Sequence, residues 1–258
     1  MYKKKAMNSI KARDVKMRGH ADAREFAELL GIGREFKSDL RAKKDVIDLE
    51  GYSYSVKSGE KKWQIFLYGK TRFEEDPEFQ VMSEIGYLFL QCIESFPKDR
   101  ENYLKNKVEC KLKLQKPMQE LCKKLQDKTI LRAFLNKSIF NSGEVDFLVV
   151  KDQNKFHVFW KEDVVNVLTK HYSVVNSKAR TQNQFDAQKV VFKVEGKTHG
   201  EIEMRNDSNV HYREVKFWLD KNLTFDLLKS KINKVENLTD RVILYGKAIN
   251  KLLKIYQR

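Results

Sequence analysis

Proline, glycine and cysteine are scarce in this sequence of 258 residues, which contains three, eleven and three of them, respectively. So few prolines and glycines leave few positions for a hinge or a flexible linker. The cysteines Cys92, Cys110 and Cys122 are odd in number and far apart. A disulfide framework is therefore not expected, and a reducing cytoplasm is the favoured location.

Long apolar runs and clustered metal ligands are also missing. No window approaches the ~18 uninterrupted apolar residues of a membrane span, and no apolar core follows Met1–Lys5 as a signal peptide requires. We therefore expect no membrane partner. The five histidines are scattered, which argues against a zinc site. Gly31 and Gly33 lack the third glycine of a dinucleotide-binding motif and are typical of a helix end.

Positive charge is what the sequence has in excess. Lys and Arg number 51 against 36 Asp and Glu, which gives a formal net charge of +15, while 41% of the residues are hydrophobic. The excess is spread along the chain and is not confined to a tail. A folded surface of this kind attracts polyanions, of which nucleic acid is the commonest. The alternative is a basic protein with no such partner.

The hydrophobic patterning predicts an α+β fold, with a mixed β-sheet core flanked by helices and a strand-rich C-terminal region. We expect a helix over 22–30, capped by Asp22, and a three-stranded antiparallel meander over 45–49, 52–57 and 63–68. The later elements are predicted as a lysine-rich helical segment over 83–141, a hairpin of 145–150 and 156–160, a helix over 162–169, strands over 189–195, 201–205 and 212–219, and helices over 225–238 and 241–256. The corresponding domain boundaries are 1–82, 83–141 and 142–258.

The hairpin that follows Asp45 has residues suited to metal-assisted phosphodiester hydrolysis. If Leu49 and Glu50 form a type I turn with Gly51 in a left-handed bulge, Asp45 faces Ser55. Because side chains alternate across a strand, Asp45, Ser55 and Lys57 then share one face. A carboxylate, further oxygen ligands and a lysine are what such chemistry needs. A two-residue turn would instead place Val56 opposite Asp45 and weaken the cluster.

These residues resemble the PD-(D/E)xK nuclease superfamily, and type II restriction endonucleases in particular. The similarity lies in Lys44-Asp45, the hairpin, Ser55-Val56-Lys57 and the following Trp63-Gln64-Ile65-Phe66. It implies that Asp45 binds Mg²⁺ and that Lys57 is the catalytic lysine. Ser55 stands where the family usually has an acid, and a backbone carbonyl near Val56 is expected to add an oxygen ligand. The motif covers roughly residues 22 to 68.

Other residues extend the candidate site by the same resemblance. Several superfamily members take a further glutamate from an N-terminal helix. Glu25 is the best candidate for this catalytic residue and metal ligand, and Glu28 is the next. Gln64 is a further catalytic candidate. Each assignment has an alternative: Asp45 and Lys57 as a surface ion pair, Glu25 as part of a capping box with Asp22, and Gln64 as an ordinary strand residue.

A polar turn near the C-terminus carries the chemistry of base recognition. Arginine pairs with guanine, and asparagine and glutamine pair with adenine. The predicted double-stranded DNA contacts are Arg205, Asn206, Asp207, His211 and Arg213, together with the loop residues Arg180, Gln182, Asn183 and Gln184. The turn resembles the strand–turn–strand readers of some small restriction enzymes. The alternative is a solvated hairpin whose charges pair among themselves.

The sequence therefore predicts a Mg²⁺-dependent restriction endonuclease that acts on double-stranded DNA. Palindromic target sites favour a symmetric homodimer on DNA. Two further functions stay open: a structure-directed or repair nuclease with the same hairpin, and a non-catalytic nucleic-acid-binding protein.

Overall fold

The computed structural model describes residues 9–33, 37–39, 43–182 and 184–256. Its helices are α1 (Ser9–Leu29), α2 (Lys70–Glu75), α3 (Pro77–Val81), α4 (Ile85–Glu94), α5 (Arg100–Lys105), α6 (Lys107–Gln126), α7 (Lys128–Phe140), α8 (Lys161–His171), α9 (Lys221–Lys231) and α10 (Lys247–Tyr256). Its strands are β1 (Lys37–Asp39), β2 (Lys44–Ile47), β3 (Ser53–Lys57), β4 (Lys62–Tyr68), β5 (Phe147–Asp152), β6 (Lys155–Trp160), β7 (Ser173–Asn176), β8 (Lys189–Val194), β9 (Lys197–Met204), β10 (Val215–Asp220), β11 (Val235–Asn237) and β12 (Val242–Tyr245).

The strands form two sheets. The first has the order β1-β2-β3-β5-β6-β12-β11 and is mixed, because β3 pairs with β5 and β6 pairs with β12 in parallel while its other pairs are antiparallel. The second has the order β4-β10-β9-β8-β7 and is antiparallel. The predicted α+β class, with a mixed sheet and flanking helices, is confirmed.

The chain divides into two compact units, each with one of the sheets. The first unit combines Met1–Lys61, Leu135–Leu168 and Lys221–Arg258, and the second combines Lys62–Phe134 and Thr169–Asp220. Each unit is assembled from stretches that are distant in sequence. Their boundaries therefore differ from the consecutive segments 1–82, 83–141 and 142–258 expected above.

Helices α1 and α10 cover one face of the first sheet. Phe26 of α1 lies against Tyr54 and Phe156, with ring centroids 5.3 and 5.4 Å apart. Alternate strand residues such as Val149 join the same core. We call this side the α1 face. By the alternation of side chains along a strand, Asp45, Ser55, Lys57, Leu148 and His157 point to the opposite side, which we call the site face.

The second unit packs one face of its sheet against an aromatic core. Phe66 of β4 lies 5.7 Å from Phe217 of β10 and 6.2 Å from Phe89 of α4, between ring centroids. Glu203 of β9 points to the other side of this sheet. Gln64 of β4 does so as well, because a bulge between Gln64 and Phe66 shifts the alternation of side chains along β4. None of the helices in the described ranges is both long and apolar enough to cross a bilayer.

Three expectations about secondary structure are wrong. The run 63–68 does not complete a meander, because β4 pairs with β10 in the second sheet while β3 pairs with β5. The predicted helices over 225–238 and 241–256 contain the strands β11 and β12. Helix α1 begins at Ser9 and not at 22, so Asp22 lies inside the helix and does not cap it.

Helix α1 ends at Leu29, and Gly31 terminates it as predicted. The amide of Gly31 donates to the carbonyl of Glu28, and that of Ile32 donates to the carbonyl of Ala27. Gly31 has φ +75°, which a residue without a Cβ adopts at low cost. This pair of bonds is a Schellman motif.

Candidate active site

The β2–β3 hairpin has the three-residue turn that the sequence predicts. The amide of Asp48 donates to the carbonyl of Tyr52 at 2.9 Å, and the amide of Gly51 donates to the carbonyl of Asp48 at 3.1 Å. Gly51 has φ +87°. Val46 pairs with Tyr54, so one residue further along the ladder Asp45 faces Ser55. The predicted register is confirmed.

The buried carboxylate of Asp48 holds this turn in place. One oxygen accepts from the amides of Glu50 and Tyr52 at 3.0 and 2.8 Å, and the other accepts from the hydroxyls of Tyr54 and Tyr256 at 2.7 and 2.8 Å. Burial, with the charge of Asp48 beside it, raises the pKa of Tyr54 far above its usual range, so its hydroxyl remains a donor. The hairpin is thus a rigid support for the side chains it carries.

Asp45 uses one of its two carboxylate oxygens in the hairpin. Oδ2 accepts from the amide of Val56 at 2.7 Å and from the hydroxyl of Ser55 at 3.3 Å. Oδ1 has no hydrogen-bond or ionic partner among the described residues. The N–H and C=O of one residue in an antiparallel strand project to the same side, so the Val56 carbonyl projects toward β2, the side from which Asp45 approaches. Asp45, Ser55 and Val56 therefore come together as predicted.

Lys57 lies on the same face of the hairpin, diagonally across from Asp45. Such diagonal neighbours are about 7–8 Å apart. Within the described part of the chain, no acidic group lies within 4.0 Å of the Lys57 ammonium. The alternative of a cross-strand ion pair between Asp45 and Lys57 is therefore not what the structure contains. Lys57 and Asp45 therefore lie on the same face of the hairpin, and among the described residues the Lys57 ammonium and Asp45 Oδ1 have no partner.

A second acid and lysine, which are not among the predicted site residues, lie close together: Asp146 directly precedes β5, and Lys161 begins α8. One oxygen of Asp146 accepts from the Lys161 ammonium at 2.9 Å, and the other accepts from the amide and hydroxyl of Ser53, both at 3.1 Å. The Lys161 ammonium also donates to the carbonyl of Gly143 at 2.6 Å. Both oxygens of Asp146 are occupied, so this pair joins β3, β5 and α8. An acid inside the otherwise apolar predicted strand 145–150 was the available signal.

Glu25 does not join Asp45. It lies at the α1 face, where its carboxylate is 2.5 Å from the Lys151 ammonium and also accepts a hydrogen bond from Arg241. Asp22 binds the same Lys151 ammonium at 2.6 Å. Burial raises the pKa of Glu25, but the hydrogen bonds and charges of Lys151 and Arg241 outweigh this, so its pKa is lowered overall. The capping-box alternative also fails, since α1 begins well before Asp22.

Gln64 lies on β4 of the second unit. Its Cα pairs with that of Trp218 of β10, and its side chain is exposed. The predicted meander required β4 to pair with the Asp45 hairpin as its third strand, and it does not.

The charged side chains of the predicted base-reading turn form ion pairs within the protein. Two guanidinium nitrogens of Arg205 donate to the two carboxylate oxygens of Asp207 at 2.8 and 3.0 Å. The backbone amide of Arg213 donates a hydrogen bond to the carbonyl of Arg205 at 3.1 Å. The guanidinium of Arg213 donates to Glu94 at 2.8 Å, and His211 lies 2.7 Å from Glu214. The pairing that the sequence analysis kept as an alternative is therefore present.

The other residues predicted to contact DNA have fewer partners within the protein. The carbonyl of Asn206 accepts from Arg100 at 3.5 Å. In the polar loop, Gln184 accepts from the amide of Arg180 at 3.0 Å. The side chains of Arg180, Gln182 and Gln184 are exposed, and Asn183 lies outside the described residues.

The oxygen donors of the hairpin suit a hard cation, since Mg²⁺ is commonly held by one or two carboxylates together with other oxygen ligands. Among the described residues, however, no group of three or more His, Cys, Asp or Glu side chains is placed to hold a metal ion. Comparison with known proteins found no matching family model, no similar curated protein and no similar solved structure.

Proposed function

We propose that this chain is a Mg²⁺-dependent endonuclease that hydrolyses double-stranded DNA, and that it acts as a type II restriction endonuclease. The observation that supports this most directly is the β2–β3 hairpin. It holds Asp45 by one oxygen and carries Lys57 on the same face. Among the described residues, neither the other oxygen of Asp45 nor the Lys57 ammonium has a partner. The net charge of +15 fits a polyanionic substrate.

Each residue of the hairpin has a role in this proposal. Asp45, Ser55 and the Val56 carbonyl would hold the cation, which supplies positive charge to the scissile phosphate. The amide of Val56 and the hydroxyl of Ser55 orient the Asp45 carboxylate so that its free oxygen faces the substrate. The Lys57 ammonium stabilises negative charge at the phosphate and positions the attacking water by a hydrogen bond.

A structure-directed or repair nuclease with the same hairpin is the second candidate. The observation that favours it is the internal pairing of Arg205 with Asp207 and of Arg213 with Glu94, because these arginines are then less available to read bases. The two candidates differ in their products. A restriction enzyme gives discrete fragments from plasmid DNA, and a structure-directed nuclease does not.

The experiment is plasmid cleavage with and without Mg²⁺. We expect the wild type to cut only with the cation, and Asp45→Asn and Lys57→Ala each to lose about a hundredfold or more of the rate while still binding DNA. The matched controls are Asp226→Asn and Lys229→Ala, which change a solvent-exposed ion pair on α9 and should cut like the wild type. Wild-type cleavage by Asp45→Asn would show that the site is wrongly assigned. DNA binding without any cleavage would leave a non-catalytic binding protein.

A further inference from the structure

The turn between β5 and β6 has an unusual composition for its geometry. Asp152 pairs with Lys155, which leaves a two-residue loop of Gln153 and Asn154. Gln153 has φ +53°, a conformation that hairpin turns usually give to glycine or asparagine because a Cβ is unfavourable there. A glutamine at this position costs conformational free energy. Strained positions of this kind are a reason to look for a function.

The turn lies beyond the C-terminal end of β5, and the candidate active site lies near the C-terminal end of the neighbouring strand β3. Strand β5 is parallel to β3, and Lys57 is level with Val150. Gln153 follows three residues later on the neighbouring strand. A rise of about 3.3 Å per residue and a strand spacing of about 4.8 Å place its Cα about 11 Å from that of Lys57. The major groove is about 8.5 Å deep, so one element can hold a phosphate at Lys57 while the other reaches a base.

A chain of ion pairs fixes this turn. Arg241 donates from Nε to the carbonyl of Asn154 at 2.8 Å, and its guanidinium is held in turn by Glu25. Glu25 also binds Lys151 of β5. The carboxylate that the sequence predicted as a metal ligand is thus engaged in orienting the turn. Glu25 and Arg241 are positioning residues for it.

The side chains at the tip are free to bind something else. Gln153 and Asn154 are exposed, and neither amide side chain has a hydrogen-bond partner among the described residues. Glutamine and asparagine form two hydrogen bonds to adenine, and a two-stranded β-ribbon fits the major groove. The Arg205 turn, by contrast, has its guanidinium already paired with Asp207.

We infer that the β5–β6 turn is a base-reading element, in which Gln153 and Asn154 recognise adenine in the major groove beside the phosphate held by Asp45 and Lys57. This inference rests on the proposed nuclease function. It names the specificity-determining residues of that activity. They lie in the first unit, on the sheet that carries the catalytic hairpin.

The test maps the base preference around the cut. A random-sequence DNA library is digested with Mg²⁺ and the fragment ends are sequenced, for the wild type, Gln153→Gly and Asn154→Ala. Each substitution should weaken the preference for adenine at one fixed distance from the cut by roughly 5- to 150-fold. Gln153→Gly should not lower the melting temperature, because glycine adopts the observed φ without strain.

The matched control is Glu195→Gly in the β8–β9 hairpin. Glu195 is also exposed, lies in a two-residue turn and has φ +48°, but it belongs to the second unit. This variant should retain the wild-type cutting pattern. If the wild type cuts at a defined site and both turn variants keep the same base preference, the inference is overturned while the nuclease proposal stands. A wild type that cuts with no base preference overturns it as well. If the wild type cuts no DNA, the proposed function itself fails.

Discussion

The two oxygens of Asp45 differ in their surroundings, and this difference is the basis of the proposed chemistry. Oδ2 is held by the Val56 amide and the Ser55 hydroxyl, while Oδ1 has no hydrogen-bond or ionic partner among the described residues. Ser55 is fully buried and contributes a hydroxyl instead of a second carboxylate. The site therefore has a single carboxylate and depends on neutral oxygens for the rest of its donor set.

We predict that Ser55→Asp makes folding stability depend on Mg²⁺. Without the cation, a second buried carboxylate beside Asp45 should lower the free energy of unfolding by on the order of 3 kcal/mol. A divalent cation between the two carboxylates should restore much of that loss. The measurement is the melting temperature with EDTA and with Mg²⁺, and Mg²⁺ should raise it more in the variant than in the wild type.

The matched control for this prediction is Ser53→Asp. Ser53 is buried on the same strand and also lies beside an acid, Asp146, but that carboxylate is already bound by Lys161. This variant should lose stability without recovering it in Mg²⁺. If both variants respond to Mg²⁺ alike, the Asp45 site has no special affinity for the cation.

At the scale of secondary-structure elements, the parallel pair β6–β12 contains a buried titratable group. His157 of β6 lies 2.9 Å from the hydroxyl of Tyr245 on β12 and packs edge-on against Phe225 of α9. Burial, with a further contribution from Lys229 and against the effect of Asp152, lowers the pKa of His157 to about 4. The folded chain therefore keeps this imidazole neutral at pH values where the unfolded chain protonates it.

For this reason, the folding stability should decrease as the pH is lowered from about 6.5 to about 4. The unfolded imidazole has a pKa of about 6.5 and binds a proton over this range, whereas the folded one does not, so the unfolded state gains stability as pH falls. Over the whole range the loss is about 3 kcal/mol. His157→Gln should have a lower melting temperature at pH 7 but a shallower decline from pH 7 to pH 5. Parallel curves for the two proteins would contradict this. The pKa of His199 is also lowered, but its contribution is common to both proteins.

The elements that the sequence predicted are those whose signals are local. The turn at Gly51 follows from short-range turn chemistry, and a hairpin turn determines the register of its strands. That is why the facing of Asp45 and Ser55 was predictable. The cap at Gly31 is local in the same way.

The errors come from pairings that no local signal specifies. Strand β4 follows β3 after a few residues, yet it pairs with β10, about 150 residues later in the chain. The run Val242–Tyr245 is buried throughout, and a short continuous apolar run does not distinguish a buried strand from a helix. The sequence predicts a helix that contains Glu25, but it does not show which face of the sheet that helix covers, and so it misplaces Glu25.

At the scale of the whole molecule, positive charge is the property that bears on a partner. The chain has 51 basic and 36 acidic residues, and many of its lysines form ion pairs within the fold. Lys124 of α6, for example, lies 2.8 Å from Glu84, whereas Lys123 beside it is exposed and has no ionic partner among the described residues. Affinity for DNA should come from lysines of the second kind, because only an unpaired ammonium replaces the counterions of a phosphate without first losing a carboxylate.

The dependence of DNA binding on salt tests this directly. The cleavage-deficient Asp45→Asn variant keeps a random-sequence duplex intact while its affinity is measured between 50 and 200 mM salt. The logarithm of affinity should fall linearly with the logarithm of salt concentration, with a slope of about −5 if roughly six phosphates are contacted. Adding Lys123→Ala should make this slope shallower by about one if that lysine lies on the DNA path, whereas Lys124→Ala should leave it unchanged, because Glu84 already neutralises its charge. A slope near zero would contradict a nucleic-acid partner for this chain. Equal effects of the two lysine variants would show that ion pairing within the fold does not decide which charges meet DNA.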